Sequence, residues 1–307
     1  MFRYATVIVT YNRVSKLKKE IQSLIEQKIL PEKIIIIDNC SNDGTKTYLE
    51  SLLNSDMREM LIYKRLDDNF GGSRGFYEGI KEAMQLENID WIALGDDDIN
   101  YDVHFFENIS LKSKANGRIC CFTGKVLYPN EDLQLAHRRR IIDFLSLKQQ
   151  NVEAEEYSND FLIDIFSFVG VVINKKIISK AGLPEKDYFI WCDDTEYSLR
   201  VRQYTQILNV CNASVFHDTI NNENSRFEPS WKMYYGKRNT ILMNKKHSKN
   251  PVYYKILIPF FYTKDICSLF IKFRYYHPFI KKMMFIYYNA YKDGIRGIKG
   301  KNKQFLP

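Results

Sequence analysis

The chain has 307 residues, 45% hydrophobic and 27% charged, which excludes a disordered protein and suits one large α/β domain with an appendage, or two domains. The formal net charge of +8 is uneven: residues 232–307 hold 17 Lys and Arg against two acids, net +15, whereas residues 1–231 carry −7. The six cysteines show no CxxC pair and no zinc-ligand spacing, so we expect reduced core cysteines rather than a zinc site.

The first hundred residues alternate between strand and helix patterns. The β-branched run Tyr4 to Thr10 predicts a buried parallel strand, and apolar residues from Val14 to Ile25 recur at helical spacing. Later patterns predict strands at residues 34–37, 61–64 and 91–94 and helices at residues 45–53 and 76–84. A glycine-rich loop is predicted at residues 69–75, before the second of these helices. The alternation predicts an open, mostly parallel α/β sheet.

The second half of the chain is less regular. Strands are predicted at 120–123, 168–173 and 213–216, with a polar stretch over 128–165 that contains the basic cluster His137-Arg-Arg-Arg140. From Trp231 onward the pattern becomes helical, with Tyr and Phe between lysines. We therefore predict a catalytic domain over 1–231 and a basic, aromatic helical region over 232–307.

The apolar segment most similar to a membrane span runs from Val252 to Phe273. Four residues that are costly at a bilayer centre or break a helix interrupt it, namely Lys255, Pro259, Lys264 and Asp265. The beginning of the sequence also lacks a cleavable export pattern. We expect a cytoplasmic protein whose basic tail lies on the inner face of the cell membrane without spanning it.

Polar residues stand where three of the predicted parallel strands end, at Thr10–Arg13, Asp38 and Asp96–Asp98. Ligands of open α/β sheets bind beyond these carboxyl ends. Because side chains alternate along a strand, Asp96 and Asp98 can face one cleft while Asp97 points aside. Two such carboxylates beside a diphosphate typically hold Mg²⁺ or Mn²⁺; the alternative is a solvated acidic loop.

Three further features have a functional and a structural interpretation. His217 follows a predicted strand and would supply a third metal ligand, although one histidine after an apolar run is more often structural. Gly71–Gly75 lacks the spacing of a dinucleotide fingerprint; it is either a plain turn or a backbone that a sugar nucleotide can approach, with Arg74 near phosphate. Asp193 and Asp194 could cap a helix, but a cap needs only one acid.

Four ordered motifs resemble the inverting family-2 glycosyltransferases of the GT-A fold, including bacterial polysaccharide glycosyltransferases. They are Val7-Ile-Val-Thr-Tyr-Asn-Arg13, Ile37-Asp-Asn-Cys-Ser-Asn-Asp-Gly-Thr45, Asp96-Asp97-Asp98, and Trp191-Cys-Asp-Asp-Thr-Glu196 with His217 after it. Asn69 to Phe76, the acidic triplet and the Trp-x-Asp-Asp run are similar to galactofuranosyltransferases, and rhamnosyltransferases share much of this. Arg74 stands where the galactofuranosyl enzymes usually have a small residue.

The resemblance implies a role for each motif. It places Asp96, Asp98 and His217 on Mn²⁺ or Mg²⁺, Asp194 as the catalytic base, Asp193 or Glu196 on the acceptor hydroxyls, and Trp191 on a sugar face. It places the nucleotide sugar at Thr10, Tyr11, Asn12, Arg13, Asp38, Asn69, Gly71, Gly72, Arg74 and Asp97. The implied reaction moves galactofuranose from its uridine diphosphate (UDP) donor, or rhamnose from a thymidine diphosphate (dTDP) donor, onto a glycan or lipid-linked glycan of bacterial surface polysaccharide.

Two other classes of function are compatible with parts of the sequence. The tail's interleaved Lys, Arg, Tyr and Phe would suit nucleic acid or an anionic membrane surface, but the acidic body disfavours nucleic acid. The alternative is a helical cap that buries its aromatic residues on the catalytic domain or on a second subunit. A nucleotidyltransferase would carry a glycine- and lysine-rich loop after the first strand, where this chain has Thr10 to Arg13. We therefore expect a glycosyltransferase that binds no nucleic acid.

Overall fold

The computed structural model describes residues 2–219 and 227–306. Its strands are β1 (Tyr4–Thr10), β2 (Lys33–Asp38), β3 (Leu61–Arg65), β4 (Trp91–Asp96), β5 (Ile99–Tyr101), β6 (Cys121–Leu127), β7 (Arg138–Asp143), β8 (Lys148–Asn151), β9 (Phe161–Ile163), β10 (Ile165–Phe166), β11 (Val171–Asn174) and β12 (Ile207–His217). Its α-helices are α1 (Val14–Ile25), α2 (Thr45–Leu53), α3 (Gly71–Gln85), α4 (Phe105–Ala115), α5 (Lys175–Ala181), α6 (Asp193–Val201), α7 (Lys232–His247), α8 (Pro251–Ile271), α9 (Phe273–Tyr276) and α10 (Ile280–Arg296).

The main sheet of the described residues has the order β3-β2-β1-β4-β11-β6-β12-β5, and β9 also pairs with β12. The first four strands are parallel, with Thr10 opposite Asp38 and Val9 opposite Asp96. β11 then runs antiparallel between β4 and β6, while β12 is parallel to β6. The predicted α/β architecture is confirmed, and beyond β4 the sheet is mixed.

Helix α3 packs closely on β1, and this contact determines which residues lie beside the carboxyl end of the strand. All seven side chains of β1 are buried, as expected of a strand covered on both faces. A Cβ added at Gly75 or Gly79 of α3 would overlap the side chain of Val9 or Val7. Glycine at these positions lets the helix lie close to the strand, which brings the first turn of α3 beside the end of β1.

Several predicted elements differ from the observed ones. The glycine-rich stretch is the first turn of α3, which begins at Gly71, so only residues before it form a loop. Phe168 and Val169 precede β11, which begins at Val171, and they line the cleft described below. Strands β7 and β8 lie within the polar stretch 128–165 and form a small sheet with β10, in the order β10-β7-β8. Arg138, the first residue of β7, is fully buried.

The burial of Arg138 explains why a basic cluster can stand inside a folded domain. Its guanidinium donates to the carbonyl oxygens of Gly124 and Val169, at 2.9 and 2.8 Å, and to the amide oxygen of Asn209 at 3.3 Å. Buried charges are tolerated only when they are hydrogen-bonded in this way. The cluster therefore ties the small sheet to β6 of the main sheet.

The helices after residue 231 pack against the segment that precedes α6. Phe189 lies in one apolar cluster with Tyr234, Tyr235, Met283 and Ile286. Asn239 of α7 donates from one side-chain nitrogen to three carbonyl oxygens of residues 188–191, at 2.9 to 3.0 Å. Among the described helices, none combines the length and apolar character needed to cross a membrane.

Candidate active site

A cleft of about 880 Å³ opens beyond the carboxyl ends of β1 and β4. The start of α3 lies on one side, and the turn before α6 lies on the other together with α7. Thirteen residues predicted for the site line it: Thr10, Tyr11, Arg13, Asn69, Gly71, Gly72, Asp96, Asp97, Asp98, Trp191, Asp193, Asp194 and His217. The two acidic clusters, about a hundred residues apart in the chain, therefore share one cavity.

Asp97 faces the end of β1. Thr10 Oγ1 donates to its carboxylate at 2.7 Å, and Arg13 Nη1 donates at 3.1 Å. The expectation that Asp97 points aside is therefore wrong, because the chain turns sharply after Asp96 instead of continuing as a strand. Burial raises the pKa of Asp97 to about 6, although Arg13 acts in the opposite direction.

Asp98 lies between two basic groups. Its Oδ2 accepts from Arg13 Nη1 at 2.8 Å, and its Oδ1 is 3.3 Å from Nε2 of His217. Burial alone would raise the pKa of Asp98, but the hydrogen bond from His217 and the charges of His217, Arg13 and Lys16 lower it below its ordinary value. The carboxylate is thus held in its ionised form, as a metal ligand must be.

Asp96 has the opposite electrostatics. Burial, followed by the charges of Asp98, Asp97 and Asp193, raises its pKa well above the ordinary range. The carboxyl groups of Asp193 and of the acidic triplet thus lie close together. Arg13 donates hydrogen bonds to two of the triplet, Asp97 and Asp98. A further cation would relieve this repulsion.

The donor atoms at this position suit Mn²⁺ or Mg²⁺. Among residues 2–219 and 227–306, no group of three or more His, Cys, Asp or Glu side chains is arranged to hold a metal ion. The predicted set of Asp96, Asp98 and His217 is therefore not assembled as three converging ligands; Asp98 and His217 are paired. Two protein ligands are enough when diphosphate oxygens and water complete the shell, which is the common arrangement for Mg²⁺.

The turn before α6 presents the second acidic cluster. Trp191 and Cys192 have positive φ angles of 63° and 68°, a left-handed conformation that non-glycine residues adopt only when the surroundings hold it. The hydrogen bonds from Asn239 hold this turn. As a result Trp191 is exposed at the mouth of the cleft, while Asp193 and Asp194 form the first turn of α6.

The two adjacent acids have different environments. Asp194 is half-buried, and its Oδ1 accepts from the backbone N–H and the hydroxyl of Thr195, at 2.5 and 3.1 Å. Asp193 is buried, and burial together with the neighbouring charge of Asp194 raises its pKa to about 7. Near neutral pH Asp193 therefore retains a proton for much of the time.

Glu196 does not reach the cleft. It is 1% exposed, and its carboxylate accepts from Arg200 at 2.8 Å, from Lys246 at 2.9 Å and from His247 at 2.8 Å. It follows Asp193 by three residues on α6, and its side chain is directed to the last turn of α7. The structure therefore does not support the prediction that Glu196 binds the acceptor, because this residue instead joins α6 to α7.

Three residues predicted for the donor site also lie outside the cleft lining. Asp38 is buried and accepts from the backbone N–H of Ser41 at 2.7 Å and from the hydroxyl of Tyr63 at 3.1 Å. Asn12 accepts from the backbone of residue 42 at 2.7 Å. Arg74 turns away to Glu78, at 3.1 Å. Asp38 and Asn12 thus shape the loops behind the pocket.

Gly71 allows the start of α3 to contact the opposite wall of the cleft. It has φ of +81°, and an added Cβ would overlap the backbone carbonyl of Phe189. Only glycine fits this contact between the two walls of the cleft. Gly72, by contrast, has open space where a Cβ would stand.

Sequence reasoning missed several residues of the cleft: Asn39, His137, Arg139, Ser167, Lys232 and Thr240. His137 and Arg139 belong to the basic cluster of residues 137–140, but the position of this cluster in space depends on the small sheet. Lys232 and Thr240 come from α7, which the sequence assigns to the tail. No local pattern signals such contributions.

The family model described as glycosyl transferase family 2 matches residues 6–178. Galactofuranosyltransferase GlfT1 of Mycolicibacterium smegmatis is 24% identical over 198 residues, 64% of this chain and 64% of that protein. The dTDP-rhamnosyl transferase RfbG of Shigella flexneri is 34% identical over 95 residues, 31% of this chain and 32% of that protein. The aligned part is thus less than two thirds of either relative.

Solved structures with the same fold include enzymes bound to nucleotides. GalNAc-T7 with UDP, GalNAc and Mn²⁺ has a TM-score of 0.63 at 14% identity, covering 97% of this chain and 56% of that one. Staphylococcus aureus TarS 1-349 in complex with UDP-GlcNAc has a TM-score of 0.56 at 13% identity, covering 97% and 84%. At these identities the likeness concerns the fold, and it confirms the predicted GT-A architecture.

Proposed function

This chain belongs to glycosyl transferase family 2, and from that membership we propose that it is an inverting glycosyltransferase of bacterial surface polysaccharide synthesis. The proposed reaction moves a sugar from a nucleoside diphosphate to a hydroxyl group of a glycan or lipid-linked glycan. One observation carries the proposal most strongly: the two acidic clusters face one cleft at the carboxyl edge of the sheet. A nucleic-acid-binding protein has no use for that arrangement.

The donor nucleotide is proposed to lie along the β1 side of the cleft. Thr10 and Tyr11 would contact the base and ribose, with Asp97 and Arg13 beside them. Asn69, Gly71 and Gly72 would lie along the diphosphate and donor sugar, where small residues and backbone N–H groups at the start of α3 favour phosphate oxygens. Asp38 and Asn12 would act from behind by fixing these loops.

Asp98 and His217 are proposed to hold Mn²⁺ or Mg²⁺, with Asp96 nearby. When bound, such a cation stabilises the charge that develops on the leaving diphosphate. Arg13, which donates to Asp98, supplies further positive charge at the same end of the cleft. Asp98→Ala should remove metal-dependent transfer; the protein should still fold, although less stably, because the contacts of Asp98 with Arg13 and His217 are lost.

Asp194 is proposed as the general base. Thr195 holds its Oδ1, and within residues 2–219 and 227–306 no hydrogen-bond donor contacts Oδ2, which would take the proton of the acceptor hydroxyl. As the acceptor oxygen bonds to the anomeric carbon from the far side, the bond to the diphosphate oxygen breaks and the configuration inverts. Asp193 and Trp191 would hold the acceptor sugar.

The donor is proposed to be UDP-galactofuranose, with dTDP-rhamnose as the alternative. The relative of greater aligned length is a galactofuranosyltransferase, and the shorter match is a rhamnosyl transferase. Calorimetric titration with UDP and dTDP alone discriminates between them. Binding of dTDP without binding of UDP would reverse the order.

The tail is proposed to attach the enzyme to an anionic membrane surface, where a lipid-linked acceptor would be presented. Helix α8 exposes Ile256 and Phe260, at 68% and 63%, and Ile271 at its end, at 83%. Basic residues stand among them, and each basic group near an anionic surface contributes on the order of 1 kcal/mol. Exposed apolar residues on a monomer also suit a homodimer.

Sedimentation with liposomes that contain an anionic lipid tests this attachment. Binding should weaken with added salt and should weaken further in an Ile256→Asp, Phe260→Asp variant, whose side chains are already exposed. A Leu111→Asp variant is the matched control, because Leu111 is 58% exposed on α4. Absence of binding at low salt, together with a concentration-dependent dimer, would assign the surface to a second copy of the chain.

The enzymatic proposal is tested with purified protein, Mn²⁺ and a panel of sugar nucleotides. Release of the nucleoside diphosphate is the readout. UDP-galactofuranose should be consumed faster than UDP-glucose or UDP-N-acetylglucosamine. Consumption of dTDP-rhamnose alone would identify a rhamnosyltransferase, and consumption of none would remove the proposal.

A further inference from the structure

Gln134 lies between the two histidines of the cleft. It is 8% exposed and stands in the turn that follows β6, where its backbone N–H donates to the carbonyl oxygen of Val126 at 2.8 Å. Nothing in its sequence surroundings marks it for function. Its side chain nevertheless touches both His137 and His217.

The orientation of the Gln134 amide is determined by its partners. Its nitrogen Nε2 is 3.2 Å from the carbonyl oxygen of Leu127 and 3.0 Å from that of His217. Carbonyl oxygens only accept hydrogen bonds, so the NH₂ end must face them. The oxygen Oε1 consequently faces the two imidazole rings.

The oxygen of Gln134 in turn determines where the ring protons are. Oε1 is 2.9 Å from Nδ1 of His217 and 3.1 Å from Nε2 of His137, and an amide oxygen can only accept. Both ring nitrogens must therefore carry a hydrogen. The remaining nitrogen of His137, Nδ1, is 2.7 Å from the hydroxyl of Ser167, which can donate to it.

This network leaves one nitrogen of His217 to face the acidic cluster. With the hydrogen on Nδ1, Nε2 is the nitrogen that faces the acidic cluster, 3.3 Å from Asp98 Oδ1; without a cation this nitrogen can also carry a hydrogen and donate it to the carboxylate, and a bound cation would take the place of that hydrogen. We propose that Gln134 is a positioning residue that keeps a hydrogen on Nδ1 of His217 and so leaves Nε2 as the nitrogen that binds the divalent cation. The role toward the cation rests on the function proposed above, whereas the tautomer does not.

The tautomer is tested first, on metal-free protein. Long-range ¹H–¹⁵N correlation spectra of uniformly ¹⁵N-labelled protein at pH 8 distinguish a protonated Nδ1 from a protonated Nε2, and a His217→Gln variant assigns the signals. We expect His217 to be protonated on Nδ1 in the wild type. In Gln134→Met, which keeps the size and removes the acceptor, we expect the Nε2-protonated form to appear. A wild-type His217 whose Nδ1 carries no hydrogen, or a Gln134→Met variant in which Nδ1 stays protonated as in the wild type, would overturn the inference.

The consequence for the cation is tested by binding of Mn²⁺ in the presence of UDP, measured by calorimetry. Removing a group that orients a ligand typically lowers metal affinity about 10- to 100-fold, and Gln134→Met should fall in that range. The matched control is Gln27→Met, because Gln27 is 5% exposed and also donates to two carbonyl oxygens, at 3.0 and 2.8 Å, without touching a histidine. The control should bind Mn²⁺ as the wild type does.

The two tests separate this inference from the proposed function. Equal Mn²⁺ affinity in Gln134→Met and wild type would contradict the positioning role even if the tautomer changes. Wild-type protein that binds UDP but no Mn²⁺ would instead refute the proposed metal site. In that case the spectra alone would still decide the tautomer.

Discussion

Replacing Glu196 by Gln should destabilise the protein without impairing donor binding. The carboxylate is 1% exposed and has three basic partners, so its loss leaves Arg200, Lys246 and His247 around a neutral amide. Burial alone would raise the pKa of Glu196, but the hydrogen bond from His247 and the charges of Arg200 and Lys246 lower it to about 2 from its ordinary 4.5. This difference corresponds to about 3 kcal/mol at neutral pH. Since Lys246 is 57% exposed, we expect a loss of about 2 kcal/mol.

The pH dependence of this stabilisation has a definite sign. Because the folded state lowers the pKa of Glu196, the stabilisation is present above pH 4.5 and is lost as the pH falls toward 2. Glu196→Gln should therefore differ from the wild type at pH 7 and approach it in that acidic range. Urea is the suitable denaturant because it does not screen charges.

The control for this experiment is the exposed pair of Glu156 with Arg140. Both side chains are about 40% exposed, 38% and 41%, so Glu156→Gln should cost at most about 1 kcal/mol. UDP affinity should be unchanged in both variants. A Glu196→Gln protein as stable as the wild type, with transfer impaired through a raised KM for the acceptor, would refute this reasoning and restore the acceptor-binding role that the sequence predicted.

Three further predictions concern the cleft itself. Asp194→Asn should lower kcat by roughly 10²–10⁴-fold with donor affinity unchanged, measured by steady-state kinetics and calorimetry; a larger loss in Asp193→Asn would exchange the two roles. Gly71→Ala should unfold at lower urea concentration and bind UDP more weakly, because its Cβ would overlap the carbonyl of Phe189, whereas Gly72→Ala should keep the wild-type urea midpoint, because its Cβ would meet open space. The folded state raises the pKa of Asp193 from 3.8 to about 7, so wild-type stability relative to Asp193→Asn should decrease as the pH rises between these values; urea titrations in a chelator that show the opposite slope would contradict the assigned burial.

The order of elements and the placement of the acidic clusters could be predicted from the sequence. β1 and β4 are continuous apolar runs that end in polar residues. Because the alternation of strands and helices implies a parallel sheet, the carboxyl ends of these strands meet at one edge of the sheet. These patterns are local, and the fold class determines that the polar strand ends lie close together in space. The second acidic cluster is assigned to the same site only through the family resemblance, because no local pattern places the turn before α6 beside β4.

The contacts of individual side chains could not be predicted, because they depend on elements far apart in the chain. Asp97 would point aside only if the strand continued through it, and the turn after Asp96 prevents this. Glu196 is directed away because α7, 50 residues later, places Lys246 and His247 beside it. Gln134 carries no pattern at all, and its importance follows from meeting two histidines in space.

The central claim is that the two acidic clusters perform one metal-assisted sugar transfer. The most direct measurement is UDP release from UDP-galactofuranose with Mn²⁺ and a galactoside acceptor, followed by the anomeric configuration of the product in the NMR spectrum. The account predicts release that requires both Asp98 and Asp194, with a product of inverted configuration. A product of retained configuration, or full transfer by Asp98→Ala in the presence of a chelator, would contradict it.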